Sequence, residues 1–372
     1  MELTTVWFLV IAGLWIGYFV LEGFDFGVGI LLRVLGRDEP ERRAVITTIG
    51  PVWDGNEVWL IVAGAMTFAA FPEWYATLFS AFYLPLFAIL VSLILRGVAL
   101  EYRGKRDDLL WRSRMDTIIT ISSLLLPLLW GIAFANLVRG LPLDASHEFV
   151  GNLGTVLNPF ALLGGVAFTA LFLTHGAIFL ALRTTDDLRD RANRLASMAG
   201  LAAAVLVVGF LAWAQAIRGN LASTIIAALA ATALLAGLAA NRPTRLRTLA
   251  DVDRPERSRS LAQQAGQPSE AKAPGGAGSP TAPATAYTAP SSGPAAATSA
   301  AANAGTSSST GHPAQPSRRE GWAFVGTALA VALGVASVFV AMFPEVLPSS
   351  LDPAWSLTVT NASSTPYTLK VL

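Results

Sequence analysis

The chain has 372 residues, of which 53% are hydrophobic and only 14% are charged, and its net charge is +1. Soluble proteins carry about 25% charged residues, so the composition predicts a membrane protein. Nothing in so small a net charge indicates nucleic-acid binding. The absence of cysteine excludes disulfides, thiolate-held zinc and iron–sulfur clusters from this chain.

Apolar runs long enough to cross a membrane recur along the chain. A spanning helix needs about 20 apolar residues, and within lipid such a run must be helical to satisfy its own backbone hydrogen bonds. The sequence therefore predicts an all-α, polytopic transmembrane helix bundle with eight spans and the start of a ninth. The predicted spans are 5–33, 54–71, 76–99, 116–138, 157–182, 196–217, 221–240 and 322–343.

The loops between these spans alternate between rich and poor in arginine. Basic residues follow the first, third, fifth and seventh spans, as in the run Arg103 to Arg114, whereas the intervening loops are nearly free of them. Because basic loops stay in the cytoplasm, the N-terminus is predicted to lie outside. No basic region precedes the first apolar run, so the first helix is predicted to be retained rather than cleaved as a signal peptide.

Two segments differ from this pattern. Residues 248–319 consist mainly of Ala, Pro, Gly, Ser and Thr, a composition that cannot offset the entropy of ordering. They are predicted to form a disordered cytoplasmic loop between a first part, 1–247, with seven spans, and a last part, 320–372. The final run, 367–372, is typical of the start of a ninth span. The sequence leaves open whether the chain is truncated there or ends in the outer compartment.

Acidic residues interrupt the first two spans. Glu22 and Asp25 lie within the first, and Asp54, Asn56 and Glu57 lie at the entrance of the second. A carboxylate at membrane depth costs at least ~2.5 kcal/mol, so such groups face protein or water and often mark an ion or proton route. The alternative is that they lie at helix ends, in contact with headgroup water.

The residue chemistry allows two roles for each of the central acids. Asp54 shares a helix face with Glu57 and is either a proton relay or an N-terminal capping residue. Asp25 needs a buried partner, for which Arg96 and Arg33 are the candidates. The pair would be either part of a proton route or a structural ion pair between the first and third spans.

Histidine is too scarce to hold a set of haems. A haem iron needs an axial His, Met, Cys or Tyr. His312 lies in the low-complexity segment, His147 in an outer loop, and only His175 lies at membrane depth. We expect His175 to form hydrogen bonds between helices rather than to ligate iron, and we predict no metal site and no catalytic residue in this chain.

Three runs of sequence carry a family resemblance. They are LEGFDFGVG at 21–29, GPVWDGNEVWL at 50–60, and RG at 96–97 with EYR at 101–103. The second run is the most specific. Together they resemble subunit II of the cytochrome bd-type quinol oxidases, the smaller, haem-free core subunit. The likeness covers nearly the whole chain except the low-complexity segment. That family has nine spans, so the ninth is missing here.

The resemblance implies a respiratory terminal oxidase in the bacterial cytoplasmic membrane. Such an enzyme oxidises quinol and reduces dioxygen to water without pumping protons. Its haems, two b-type and one d-type, would lie in the larger subunit I, and this chain would bind none directly. The resemblance also implies tight association with subunit I, small single-span accessory subunits, contact with lipid, and a structural quinone.

Residue by residue, the resemblance assigns roles within the quoted runs. It implies that Trp59 lines an oxygen passage, although plain helix packing is an equally good interpretation. The residues implied to form the proton route or to support the haem site are Asp54, Asp25, Glu57, Arg96 and Asn56.

Two other hypotheses compete with this one. In the first, the chain is a secondary transporter that couples protons or Na⁺ through Asp25, Asp54 and Glu57. Transporters often contain repeated halves, and no second copy of the acid-bearing runs occurs in 157–343, which counts against it. In the second, the chain is a structural anchor with no part in proton or oxygen traffic.

Overall fold

The computed structural model describes residues 2–241 and 318–372. Helices dominate these residues, and one short antiparallel pair of strands follows the last long helix. The helices are α1 Leu3–Leu35, α2 Glu39–Ile49, α3 Trp53–Ala70, α4 Pro72–Ala81, α5 Tyr83–Tyr102, α6 Leu109–Arg139, α7 Leu153–Val156, α8 Pro159–Arg183, α9 Asp186–Arg218, α10 Leu221–Ala240, α11 Arg318–Met342 and α12 Pro366–Val371, and the strands are β1 Glu345–Leu347 and β2 Leu357–Thr358.

Seven helices in the described ranges are long and apolar enough to cross a membrane: α1, α5 with the turn that extends it to Lys105, α6, α8, α9, α10 and α11. The prediction of a polytopic helix bundle is thus confirmed. The predicted second span corresponds to α3, an 18-residue helix that is not among the seven. Its first turns carry Asp54, Asn56 and Glu57, which lower its mean hydropathy.

The predicted third span, 76–99, is wrong as a single helix. The structure divides it into α4 and α5, which meet at Phe82. Pro85 explains the break, because proline has no N–H for the preceding turn and its ring clashes with the carbonyl four residues earlier. The backbone amide of Phe82 bonds back into α4, to the carbonyl of Leu78 at 2.9 Å, so the chain restarts its helix at Tyr83.

Glycines let the central helices α1 and α8 approach each other closely. A Cβ atom on Gly27 would lie 2.0 Å from the Phe172 carbonyl oxygen, and one on Gly176 would lie 2.5 Å from the Gly27 backbone. Backbone contact of this kind is available only to glycine. Helices α1 and α8 therefore form the centre of the bundle, and they fix the position of the acidic residues on α1.

The bundle ends differ in chemistry. One end carries α2, whose first turn Asp38 caps by accepting from the Glu41 amide at 2.9 Å. Glu41 pairs there with Arg191 of α9. At the opposite end Trp7 donates its indole N–H to the Leu369 carbonyl at 2.8 Å. The structure thus places the arginine-rich loops that it describes together, at the end opposite the arginine-poor loops. An N-terminus outside remains a prediction.

The predicted loop 248–319 lies outside the described residues, except for Arg318 and Arg319, which begin α11. The last predicted segment is helical over Pro366–Val371. Thr365 caps this helix by accepting from the Thr368 amide at 3.2 Å, and Leu369 is buried.

Candidate functional site

Five polar residues from three helices converge inside the bundle. We name them the Arg96 cluster: Glu22 and Asp25 of α1, Asn56 and Glu57 of α3, and Arg96 of α5. Arg96 Nη1 lies 2.7 Å from Glu57 Oε1 and 3.3 Å from Glu22 Oε2. One guanidinium nitrogen therefore joins α1 and α3 through two carboxylates. The structure brings together four of the five residues of the predicted site, Asp25, Asn56, Glu57 and Arg96, and adds Glu22 to them.

Asp25 has a different partner from the one predicted. Neither Arg96 nor Arg33 forms its hydrogen bond; Asn56 Nδ2 donates to Asp25 Oδ2 at 2.6 Å. Arg33 instead donates to the Thr117 hydroxyl on α6. The reason is the rotation of α1, which turns Glu22 rather than Asp25 towards the Arg96 nitrogen. The ion pair between the first and third predicted spans exists, but its acid is Glu22.

The Arg96 cluster is buried and incompletely hydrogen-bonded. Glu22, Asp25 and Arg96 have 0% exposure, and the Arg96 guanidinium lies 5.1 Å from the centre of the Phe26 ring. Within residues 2–241 and 318–372, no hydrogen-bond partner is found for either Glu22 carboxylate oxygen, for Asp25 Oδ1, or for Arg96 Nε and Nη2. Buried polar atoms are nearly always satisfied, so internal water or exchangeable protons are needed here.

Asp54 lies apart from this cluster. It is exposed in the first turn of α3 and has no ion pair or hydrogen bond with any residue that the structure describes. Val52 occupies the N-cap position and no side chain caps the helix there, so the capping role considered for Asp54 is wrong. Glu57, one turn further along, is the cluster member with the most accessible side chain, at 25% exposure.

Trp59 lies against α1. A Cβ atom on Gly17 would lie 2.4 Å from the Trp59 ring, and 37% of Trp59 is exposed. A separate apolar cavity of about 540 Å³ opens nearby, lined by α3 to α6 together with Trp15 and Phe339, and Trp59 is not part of its lining. Trp74 lines this cavity, and its buried indole N–H lacks an acceptor within the described part of the chain.

The histidines are engaged by the protein. His175 Nδ1 lies 2.8 Å from Thr327 Oγ1 on α11 and Nε2 lies 3.3 Å from the Val20 carbonyl on α1, which confirms the expected bridge between helices. His147 Nδ1 lies 2.8 Å from the Trp355 carbonyl. His312 lies outside the described residues. The described ranges contain no group of three or more His, Cys, Asp or Glu arranged to hold a metal ion.

A second ionic network, at the end that carries α2, was not predicted. Arg103 Nε lies 2.5 Å from Asp116 Oδ1 on α6, and Arg103 Nη2 lies 2.8 Å from Glu39 Oε2 on α2. Burial raises the pKa of Glu39, but hydrogen bonds from Arg103 and the charges of Arg103 and Arg112 bring it below its ordinary value. The buried Asp116, at the predicted start of the fourth span, was the signal that could have revealed this network.

Comparisons with known proteins agree on one family. A family model described as cytochrome bd terminal oxidase subunit II matches residues 3–253 and 276–372. Cytochrome bd ubiquinol oxidase subunit 2 of Bacillus subtilis is 35% identical over 377 residues, covering 100% of this chain and 89% of that protein. Cytochrome bd-I ubiquinol oxidase subunit 2 of Escherichia coli is 44% identical over 200 residues, 53% of each chain.

A solved structure has the same fold. One chain of the bd oxidase from Geobacillus thermodenitrificans superposes with a TM-score of 0.66 at 14% sequence identity, covering 100% of this chain and 92% of that chain. At this identity the likeness concerns the fold alone.

Proposed function

Because this chain belongs to the cytochrome bd terminal oxidase subunit II family, we propose that it is the haem-free subunit of a quinol-oxidising, dioxygen-reducing complex in a bacterial cytoplasmic membrane. In this role the chain supports haem assembly in its partner and contributes a proton route. The observation that carries the proposal is the Arg96 cluster, in which carboxylates and a guanidinium are held inside an apolar bundle. Such groups are costly in a membrane and are functional by default.

The partner is a larger, haem-bearing subunit. We propose that this subunit docks on the outer face of α3 of the present chain. Glu57 is partly accessible there, and Val58, Trp59 and Ile61 are exposed. A carboxylate at the edge of a lipid-facing surface requires protein or water beside it. Covering α3 would enclose the Arg96 cluster between the two subunits and bring Asp54 to the entrance of a shared proton route.

Both ring nitrogens of His175, the histidine at membrane depth, already have protein partners, so we assign no haem to it. We propose that a quinone or a lipid binds in the apolar cavity lined by α3 to α6. The Trp74 indole N–H, in the wall of the 540 Å³ cavity, could donate to a carbonyl oxygen, and the apolar lining would accept a prenyl or acyl chain. When bound there, such a molecule would brace α3 to α6.

The transporter hypothesis has less support. It requires the acids to couple an ion to a solute, whereas the comparisons place the chain in an oxidase family. We therefore retain the oxidase subunit as the proposed function, with Trp59 proposed as one wall of an oxygen passage between α1 and the partner.

Co-purification and spectroscopy test the proposal. The chain is expressed with its neighbouring oxidase subunit, purified by a tag on this chain, and examined by a reduced-minus-oxidised spectrum. A haem-rich partner and quinol-driven oxygen consumption are expected. A colourless preparation that catalyses ion-coupled uptake would contradict the assignment.

Asp54→Asn tests the proton route within that complex. Slower oxygen consumption with normal haem content supports a relay, whereas loss of haem indicates a structural role. Asp190→Asn, at another exposed acid on α9, is the matched control and is expected to leave both quantities unchanged.

A further inference from the structure

The Arg96 cluster contains more acids than its single cation can balance. Glu22, Asp25 and Glu57 surround Arg96, and no other basic side chain in residues 2–241 and 318–372 forms an ion pair with any of the three. Two other basic residues of the bundle bond elsewhere: Arg33 donates to Thr117, and the ring nitrogens of His175 contact Val20 and Thr327. If all three acids were ionised, two uncompensated negative charges would remain in a region that excludes solvent.

The contacts distinguish the three carboxyls. Glu57 makes the shorter contact to Arg96 Nη1, at 2.7 Å, and its side chain is partly exposed. Asp25 accepts a 2.6 Å hydrogen bond from the Asn56 amide, which favours its charged form. Glu22 is fully buried and shares the same Nη1 at 3.3 Å, and neither of its oxygens accepts a hydrogen bond from a described residue. Of the two carboxyls on Arg96, Glu22 is therefore the one with less stabilisation as an anion.

We propose that Glu22 is a neutral carboxylic acid in the resting protein, and that the Arg96 cluster stores this proton for the reaction. The proposal deepens the proposed function and rests on it only for the destination of the proton. Protonation would also make Glu22 a hydrogen-bond donor one helical turn from Asp25. Asp25 Oδ1 is a buried acceptor that has no hydrogen-bond partner among the described residues.

The geometry provides a way to return a proton to Glu22 after it has been released. Arg96 Nη1 contacts both Glu22 and Glu57, so the guanidinium can balance either one without moving. When Glu22 gives up its proton, its new carboxylate pairs with Arg96, and Glu57 takes up a proton from the accessible side. Transfer of that proton from Glu57 to Glu22 restores the starting state, in which Glu57 is the ionised acid on Arg96.

Infrared spectroscopy of the complete oxidase complex tests the charge state of Glu22. The spectrum is recorded in H₂O and after exchange into D₂O, and the C=O stretching band of protonated carboxylic acids is followed. Glu22→Asp keeps a carboxylic acid but changes its environment, so the isotope-sensitive band should shift. Glu57→Asp is the matched variant on the opposite carboxyl. It should move that band less than Glu22→Asp does, because it changes the environment of Glu22 only through Arg96.

Every other pattern overturns the proposal. A larger shift in Glu57→Asp than in Glu22→Asp would place the proton on Glu57. Equal shifts in the two variants would exclude a single proton carrier, and a shift in neither would exclude this cluster. If Glu22→Asp does not assemble, Glu22→Gln replaces it, because an amide resembles a neutral acid. That variant should retain haem and lose the band, and failure of both variants to retain haem would overturn the proposal.

Two further measurements separate this inference from the proposed function. Glu101→Gln, at an exposed acid paired with Lys105, should leave the infrared band unchanged and thereby controls for general effects of losing a carboxylate. Haem content and quinol-driven oxygen consumption of the wild-type complex test the oxidase assignment independently. A protonated Glu22 in a complex that consumes no oxygen would leave the charge state established and the proposed function rejected.

Discussion

A single guanidinium organises the polar interior of this bundle. Arg96 has five N–H donors, yet only Nη1 contacts carboxylates, and the ring of Phe26 lies beside the guanidinium. An arginine that cannot lose its charge in a protein is a fixed reference for the acids around it. Its role is thus electrostatic as well as structural, because it links α1, α3 and α5.

We expect Arg96→Gln to destabilise the protein strongly. Removing one partner from a buried ion pair typically costs about 3–5 kcal/mol, since the remaining charges lose their compensation. The thermal stability and haem content of the purified complex should both fall. Arg96→Lys should recover part of the loss, because it restores the charge but not the planar geometry.

Arg106→Gln is the control for this prediction. Arg106 is exposed and stacks on Trp111, so its loss should change neither quantity by a comparable amount. Equal behaviour of the Arg96 and Arg106 variants would contradict the central position given to Arg96.

Sequence reasoning locates the acids but not their pairing. The run that contains Asp54 and Glu57 reads as one site, yet the structure buries Asn56, leaves Glu57 at the edge and exposes Asp54. The cause is helical rotation, since neighbours in sequence point in different directions around α3. Glu22 was noticed as an acid without a role, because the sequence alone does not show which acid of α1 faces Arg96.

At the scale of helices, the crossing of α1 and α8 depends on glycine. Gly27→Ala would place a methyl group against the Phe172 carbonyl, with a separation of 2.0 Å before any relaxation. Overpacking of a close contact costs about 1–3 kcal/mol and sometimes more, and here the obstacle is backbone. We expect a lower yield of assembled complex and a lower midpoint of thermal unfolding.

Gly13→Ala supplies the comparison on the same helix. Nothing lies within 4 Å of a Cβ atom at Gly13, so that variant should match the wild type or exceed its stability slightly, because alanine favours helix. If the two variants had the same stability, the close crossing would be refuted.

The helix α2 should make stability depend on pH. The backbone amide of Arg37 lowers the pKa of Glu41, and the Arg191 guanidinium lowers it further against the opposing effect of burial. The pKa of Glu39 is also lowered. A carboxyl with a lowered folded-state pKa stabilises the fold at pH values above the ordinary Glu pKa of about 4.3, and this stabilisation is lost as the pH falls through the folded-state pKa.

Thermal unfolding of the Glu39→Gln, Glu41→Gln double variant measures this contribution. At neutral pH the double variant should unfold at a lower temperature than the wild type, and the two should converge in acid. Glu101→Gln should follow the wild-type curve at every pH, because its exposed pair with Lys105 contributes little. A difference that persists unchanged into strong acid would exclude this linkage.

The break between α4 and α5 shows what a hydropathy pattern omits. The stretch from 76 to 99 is apolar nearly throughout, so it reads as one span. Pro85 was the available signal of a break, but prolines are also accommodated inside helices, as Pro127 is inside α6. Which outcome occurs depends on the neighbouring helices rather than on the local sequence.

For the whole molecule, the sequence predicts the class and the order of the long helices because both follow from general rules. Long apolar runs must be helical in lipid, and alternate loops of an antiparallel bundle must meet at the same end. The structure places the predicted basic loops near α2, where Arg103 bridges Glu39 and Asp116. The outer face that meets a partner does not follow from such rules, since lipid and an apolar subunit select similar side chains.

A pair of matched variants tests the proposed docking face. Val58 on α3 and Val205 on α9 are both exposed, at 49% and 68%. Val58→Trp should reduce several-fold the amount of haem-bearing partner that co-purifies, because a packed interface cannot accept the added volume. Val205→Trp should have no such effect, since fluid lipid adapts to it. The opposite ranking would move the interface to α9.

The first turn of α11 is held against α9 by hydrogen bonds and an ion pair. Glu320 receives two hydrogen bonds from Arg189, at 2.8 and 2.6 Å, and one from Asn193 at 2.7 Å, while Asn241, just after α10, donates to the Asn193 carbonyl at 3.2 Å. The described residues on both sides of 242–317 are thus anchored to α9. Insertions or deletions between residues 242 and 317 should therefore leave the flanking helices in place, because the anchoring contacts lie outside the altered residues.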